Sequence, residues 1–260
     1  MNIAGVETEV GVFVKCPHPE MIEAIGITGL DFAVVDMEHT PLGPRDLYPL
    51  VLAAERRRLS LVVRIPAKVD AYFKWCRDLN ISRIQVPHIE TVEDALYAIK
   101  HSYFSPMGER GLCRFVRAAD FSATPGKEYI EQANAGNRLI LQIEGQRGLD
   151  NLQQIIEILP SHVCLFIGPY DLSQSMGKPG QIWDKDVVAA MEEIVRQCHV
   201  KNLSVGTFTD TPEGVQFWTK RGLSFIEYAS DLNLFMSGVD SFKKSLLAVF
   251  SGEKVSAQCG

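Results

Sequence analysis

Eight short, apolar, β-rich runs punctuate this 260-residue chain, and most are followed by a segment of helical periodicity. The runs occupy residues 10–14, 32–36, 61–65, 83–86, 139–143, 163–167, 204–208 and 225–228. Between them, residues 19–27, 44–58, 70–79, 91–101, 148–158, 184–201 and 211–221 space their apolar side chains as helices do. Leu47, Leu50, Val51 and Ala54 form one such stripe, Gly29 closes the first helix, and Thr91 with Asp94 has the pattern of a capping box. Strands alternating with helices predict βαβ units and a parallel sheet buried on both faces. Eight units in a chain of this length predict an α/β fold of the (β/α)8 TIM-barrel type. An open doubly wound sheet is the alternative, but no Gly-x-Gly-x-x-Gly follows a strand to support it. No linker or internal repeat divides the chain, so residues 1–260 are expected to form one barrel domain. The polar, small-residue tail after about residue 251 is expected to be flexible or to face a partner.

Composition removes several classes of function. A formal net charge of -6 argues against a nucleic-acid groove, which needs clustered Lys and Arg. The one dense basic run, Arg56-Arg57-Arg58, ends a helical pattern and suits the negative end of a helix dipole. Six scattered cysteines (Cys16, Cys76, Cys113, Cys164, Cys198, Cys259) form no Cys-x-x-Cys pair, which predicts reduced thiols in a cytoplasmic protein. No basic-then-apolar leader opens the sequence, and no run approaches the roughly 18 apolar residues of a membrane span.

In a parallel α/β barrel, residues at the carboxyl ends of the strands face the active site. The second run ends abruptly in Asp36, Glu38 and His39, with Pro41 beyond. The third ends in Arg64, the fourth in Pro87-His88, the fifth in Gln142-Ile-Glu144 and the sixth in Gly168-Pro-Tyr-Asp171. Glu144 and Asp171 come from adjacent strand ends and suit a hard divalent cation completed by water and substrate oxygens. The plain alternative makes Asp171 a helix cap and Glu144 a surface acid. Arg64 follows an apolar run and needs a partner; it could form an ion pair with Asp36, clamp a carboxylate, or do both. His39 is the leading acid/base candidate because an ordinary imidazole titrates near neutrality, and His88 is its rival. His18, His101, His162 and His199 fall in helices or at the amino end of a strand. Lys15, just after the first run, is the only lysine placed for a Schiff base. The longest irregular stretch, residues 102–125, separates the fourth and fifth runs and is long enough to be functional.

Five segments together resemble the HpcH/HpaI aldolase/citrate lyase family, in its class II, metal-dependent pyruvate aldolase branch. They are Asp36-Met-Glu-His-Thr-Pro41, Val62-Val-Arg64, Pro106-Met-Gly-Glu-Arg-Gly111, Leu141-Gln-Ile-Glu144 and Phe166-Ile-Gly-Pro-Tyr-Asp-Leu-Ser-Gln-Ser-Met-Gly177. The resemblance spans residues 11–249 and is closest to 2-keto-3-deoxy sugar-acid and 4-hydroxy-2-oxoheptanedioate aldolases. It implies a barrel whose C-terminal helix is exchanged between subunits of a homo-hexamer, a dimer of trimers. It further implies Glu144 and Asp171 as ligands of Mg²⁺ or Mn²⁺, with Co²⁺ or Zn²⁺ as other metals. Arg64 would steady the keto oxygen, and His39 would be the acid/base. Asp78 of a neighbouring subunit would pair with that histidine. Asp36 and Glu38 would support the site from behind, and Gln142 would line the pyruvate pocket. The backbone around Gly168, Pro169, Tyr170 and Asp171 would meet the pyruvate carboxylate. Met37 stands where family members commonly have Gly, and His88, residues 113–117 and residues 148–151 also depart from the pattern. These departures rim the aldehyde side, so they bear on the acceptor rather than on the metal half.

The expected reaction is thus reversible aldol cleavage of a 2-keto-4-hydroxy acid to pyruvate and an aldehyde through a metal-stabilised pyruvate enolate, with small-molecule substrates and no nucleic-acid or membrane partner. Three other readings compete: a citramalyl- or malyl-type lyase acting on a CoA thioester, a lysine-dependent aldolase, and a non-catalytic barrel. The first would favour a basic mouth, the second would resist chelator, and the third would have lost a member of the Arg64, His39, Glu144 and Asp171 set.

Overall fold

A computed structural model describes residues 2–3 and 6–251. Eight parallel strands close into a barrel in chain order: β1 (Glu9–Val14), β2 (Phe32–Asp36), β3 (Ser60–Arg64), β4 (Arg83–Val86), β5 (Arg138–Ile143), β6 (Cys164–Ile167), β7 (Ser204–Thr209) and β8 (Phe225–Ser230). Strand β8 pairs with both β7 and β1, which completes the ring. The predicted (β/α)8 architecture is therefore the observed one. A two-stranded antiparallel pair, Asn2–Ile3 with Val6–Glu7, precedes it. The expected tail lies outside the described residues, as does Cys259; the other five cysteines are free thiols.

Helices α1 (Pro19–Ile27), α2 (Pro44–Arg57), α3 (Asp70–Asp78) and α4 (Val92–Ser102) follow the first four strands. The Thr91–Asp94 capping box forms as the sequence predicts. The predicted helix over 148–158 is two helices, α6 (Gln146–Asp150) and α7 (Leu152–Ile158), joined at Asn151. Three helices have no counterpart among the predicted helical segments: α5 (Gly126–Gly136), α8 (Pro169–Ser175) and α11 (Asp231–Ser251). Helix α5 buries only Tyr129, and α11 leaves large apolar side chains exposed. Helices α9 (Lys185–Val200) and α10 (Pro212–Thr219) agree with their predicted ranges.

Two apolar layers fix the barrel. The larger lies between strands and helices; the smaller fills the interior with Phe13, Phe32, Val34, Val62, Ile140, Cys164, Phe166 and Phe225. Phe32 and Phe225 stack at 4.3 Å. Gly11 makes room for them, since a Cβ there would come within 2.2 Å of the Phe32 ring. This packed floor leaves the carboxyl ends of the strands as the place for polar chemistry.

Candidate active site

The registers of β2 and β3 place Asp36 directly opposite Arg64. The guanidinium donates from Nε to Asp36 Oδ1 at 2.9 Å and from Nη2 to Oδ2 at 2.8 Å. Among the described residues Nη1 has no protein partner, and Arg64 lines the cavity with that edge uncommitted. Asp36 is fully buried and also accepts from Lys15 Nζ and from the backbone N–H of Glu38 at 3.0 Å. Burial opposes its ionisation, but Arg64 and Lys15 outweigh burial and hold the carboxyl well below the usual carboxylate range. The predicted support of Arg64 by Asp36 is thus present in the geometry.

A cavity of about 410 Å³ opens above this pair. Lys15, His39, Arg64, Gln142, Gly168, Pro169, Tyr170 and Asp171 all line it, so residues from β1, β2, β3, β5 and β6 converge as the strand ends suggested. Lys15 is held by its ion pair, and Asp231 fixes its backbone by accepting from Lys15 N and Cys16 N at 2.9 Å each. An amine so engaged is badly placed to attack a keto carbon.

Glu144 is buried directly after the end of β5. Its Oε2 accepts from Gln142, and its Oε1 accepts the backbone N–H of His88 at 2.7 Å. It is therefore not the surface acid of the plain alternative. Burial raises its pKa, and the nearby Asp171 charge pushes in the same direction. A second cavity of about 240 Å³ lies beside the first, lined by His88, Glu144 and Asp171. Asp171 borders both. It sits in the first turn of α8, whose start is set by Gly168 and Pro169. Gly168 is required by close approach: a Cβ there would lie 2.7 Å from Glu144 Oε2 and 2.9 Å from Glu144 Cβ. Gly168→Ala is expected to displace the Glu144 carboxylate and lower kcat about a hundredfold, as small misplacements of reacting groups do. A circular-dichroism melt beside the kinetics separates this from unfolding, and unchanged kcat would remove the steric argument.

Glu38 has a more central place than the sequence suggested. Its side chain is nearly buried and lies 3.3 Å from Arg64 Nε, 3.1 Å from His88 Nε2 and 3.8 Å from His39 Nε2. His88 bridges to Glu144 through Nδ1 at 3.1 Å, with its backbone at φ 55. His39 stands at the exposed rim, with Glu38 as its nearest carboxylate among the described residues. Asp78 is not brought to His39; it pairs with Arg110 at 2.8 Å, at the end of α3. Sequence reasoning missed Asp210, which lines the cavity and accepts from the Tyr170 hydroxyl at 2.8 Å. It follows β7 and was legible as a strand-end carboxylate.

Residues 9–238 match the family model for HpcH/HpaI aldolase/citrate lyase. The chain belongs to this family. Among HpcH/HpaI relatives, a 2-dehydro-3,6-dideoxy-6-sulfogluconate aldolase of Pseudomonas putida is 33% identical over 227 residues, 87% of this chain and 88% of that protein. A 5-keto-4-deoxy-D-glucarate aldolase of Enterobacter sp. (strain 638) is 28% identical and covers 93% of this chain and 95% of its own. The crystal structure of an HpcH/HpaI aldolase/citrate lyase family protein from Burkholderia cenocepacia J2315 superposes with a TM-score of 0.87 at 30% identity, covering 94% of this chain and 96% of that one.

Proposed function

We propose that this HpcH/HpaI protein is a class II aldolase that reversibly cleaves a 2-keto-4-hydroxy acid of the 2-keto-3-deoxy sugar-acid class to pyruvate and an aldehyde. The observation that carries the reading is the meeting of two carboxylates, Glu144 and Asp171, with a clamped guanidinium and a rim imidazole around one mouth. The names of the relatives, aldolases of acidic sugar derivatives, support the same reaction class.

The donor set fits a hard divalent cation such as Mg²⁺ or Mn²⁺. Glu144 is buried beside a second carboxylate whose charge works against its own ionisation, a conflict that a cation relieves. Among the described residues no three His, Cys, Asp or Glu side chains gather as a metal cage, which suits an ion that takes its remaining ligands from water and substrate oxygens. Bound there, the ion supplies a Lewis acid that polarises the 2-keto acid. The chain's own residues do the rest. The Nη1 edge of Arg64 meets the keto oxygen as it gains negative charge, while Asp36 and Glu38 keep the guanidinium aimed. His39 takes the 4-hydroxyl proton, the C3–C4 bond breaks, and its electron pair moves towards the keto oxygen. Gln142 and the Gly168–Asp171 turn hold the pyruvate half, and Lys15, Asp210 and Tyr170 border the remaining space.

The assembly belongs to the same proposal. Helix α11 leaves Phe235, Met236, Phe242, Leu247 and Phe250 exposed, more apolar surface than a lone helix end needs. Exchange of this helix within a homo-hexamer would cover it, and Asp78 would then serve a neighbour's His39. Mass photometry checks the assembly directly, and a monomer at micromolar concentration would overturn it.

Pyruvate release from a panel of 2-keto-3-deoxy acids, with and without Mn²⁺ or Mg²⁺, tests the reaction. EDTA is expected to inactivate, and borohydride with substrate is not. Glu144→Ala is expected to lose at least ~10²-fold in kcat, in line with the several kcal/mol a Lewis acid contributes. Full metal-dependent activity in that variant would show the ligand assignment to be wrong.

A further inference from the structure

A row of buried polar side chains runs inside the barrel beneath the cavity, and the proposed reaction uses only its upper end. Glu227 on β8 and Gln85 on β4 are fully buried, and Gln142 on β5 and Glu144 just after it are nearly so. Gln142 Nε2 donates to Glu144 Oε2. Gln85 Nε2 donates to Gln142 Oε1 at 2.7 Å and reaches Glu227 Oε2 at 3.5 Å. Two oxygens of this row, Gln85 Oε1 and Glu227 Oε1, have no hydrogen-bond partner. With Glu227 ionised, both are buried acceptors and the row lacks a donor. A protonated Glu227 carboxyl supplies that donor, and an acid and an amide can then exchange two hydrogen bonds.

We infer that Glu227 is kept as a neutral carboxylic acid and acts as a positioning residue, fixing the amide direction of Gln85 and through it that of Gln142. With its oxygen engaged by Gln85, Gln142 must turn its NH2 group to Glu144 and to the cavity it lines. The pyruvate half then meets a donor rather than an acceptor; this kinetic consequence rests on the proposed aldolase reading, whereas the protonation state does not. The surroundings agree. At the level of Glu227 the flanking strands present Gly11 and Phe208, both uncharged. Burial pushes the carboxyl up to about 8, against the opposing pull of Arg64 on β3 and of the Gln85 hydrogen bond, while Asp36 on β2 adds to the push. The thiol of Cys164 on β6 is itself pushed up to about 12 by burial, so it stays neutral. A group with a raised folded pKa holds an extra proton in the native state between its unfolded value, ~4.3, and the folded one. Stability from this group is greatest below that window and falls as pH rises through it.

Infrared difference spectra of wild type against Glu227→Gln, on the intact protein at neutral pH, test the protonation state. The wild type is expected to show the carbonyl band of a buried carboxylic acid, and the variant to lack it. Glutamine can replace both hydrogen bonds of the neutral acid, so Glu227→Gln is expected to keep kcat/KM within about twofold at pH 7, to lose less urea midpoint than wild type as pH rises from about 5 to 8, and to hold activity better than wild type above pH 8. Glu227→Leu breaks the row and is expected to raise KM roughly tenfold with a smaller change in kcat, the cost of buried partners left unpaired. If that variant does not fold, Gln85→Leu cuts the row one link nearer Gln142 and carries the same expectation. A wild type without the band, a Glu227→Gln variant as impaired as the leucine variant, or a folded leucine variant with unchanged KM overturns the inference. Wild type that releases no pyruvate would fail the aldolase reading instead and leave the infrared result standing.

Discussion

Arg64→Met leaves a folded protein that turns over about 10²–10³-fold more slowly, the usual loss when one preorganised donor to a developing oxyanion is removed. The side chain is buried at the end of β3, its Nε and Nη2 are taken by Asp36, and its ring-facing side lies 4.8 Å over Phe13. It is therefore held in one pose before substrate arrives, which gives such a donor its catalytic value. Arg64→Lys is expected to recover little of the loss. A lysine ammonium offers a point charge where the guanidinium offers a fork that can bind Asp36 with two nitrogens and the substrate with a third. Asp36 retains Lys15 as a partner in both variants, so the folded state survives the change. Steady-state pyruvate release at saturating Mn²⁺ measures the effect, and a variant within tenfold of wild-type kcat would remove Arg64 from the reaction.

Most of the barrel was legible because each parallel strand is buried on both faces and each crossover helix on one. Period and run length therefore announce both, as they do for β2 and α2. The elements that escaped lack that one-sided burial. Helix α5 hides a single aromatic side chain, and α11 turns its apolar residues outward, so neither packs a broad apolar face on the barrel. The division of α6 from α7 falls at Asn151, whose backbone leaves the helical region (φ -99, ψ 4) and whose side chain donates to the Glu90 carbonyl at 2.8 Å.

The candidate site divides along the same line. Residues that end strands were found by position alone: His39, Arg64, Gln142, Glu144 and Asp171 do meet around one mouth, and Asp36 is buried against Arg64. Gln85 and Glu227 lie inside their strands, where a single polar residue among β-formers reads as part of the run. Parity could have exposed them, since Glu227 is two residues from the inward-facing Phe225. The bridging role of His88 depends on a left-handed backbone that folds its ring back between Glu38 and Glu144, and no sequence pattern announced that turn. Asp78 shows the opposite limit. Its segment is where the family resemblance places it, yet in its own chain it serves Arg110, so any part in catalysis requires a second copy.

Asp36→Ala should be the most destabilising single change at this site, by about 3–5 kcal/mol, because it strands a buried guanidinium without its principal partner. The carboxylate is fully buried and satisfies Arg64 twice, Lys15 once and the N–H of Glu38. After its removal, Glu38 at 3.3 Å is the remaining ion-pair partner of Arg64 among the described residues. A loss of that size lowers Tm by roughly 10 °C in a domain of this length. The pH dependence follows from the direction of the Asp36 shift. The folded carboxyl is held far below the ordinary carboxylate value, so its contribution is complete above the unfolded pKa of ~3.9 and is lost as pH falls below it. The stability gap between wild type and Asp36→Asn should therefore be constant from neutrality to about pH 5 and narrow by about 1 kcal/mol by pH 3. Urea titrations at matched protein concentration, at pH 7 and pH 3, measure the gap directly. A gap that stays constant to pH 3 would mean that the Asp36 charge does not hold Arg64 in place, and the clamp on which the proposed chemistry depends would have to be sought in Glu38.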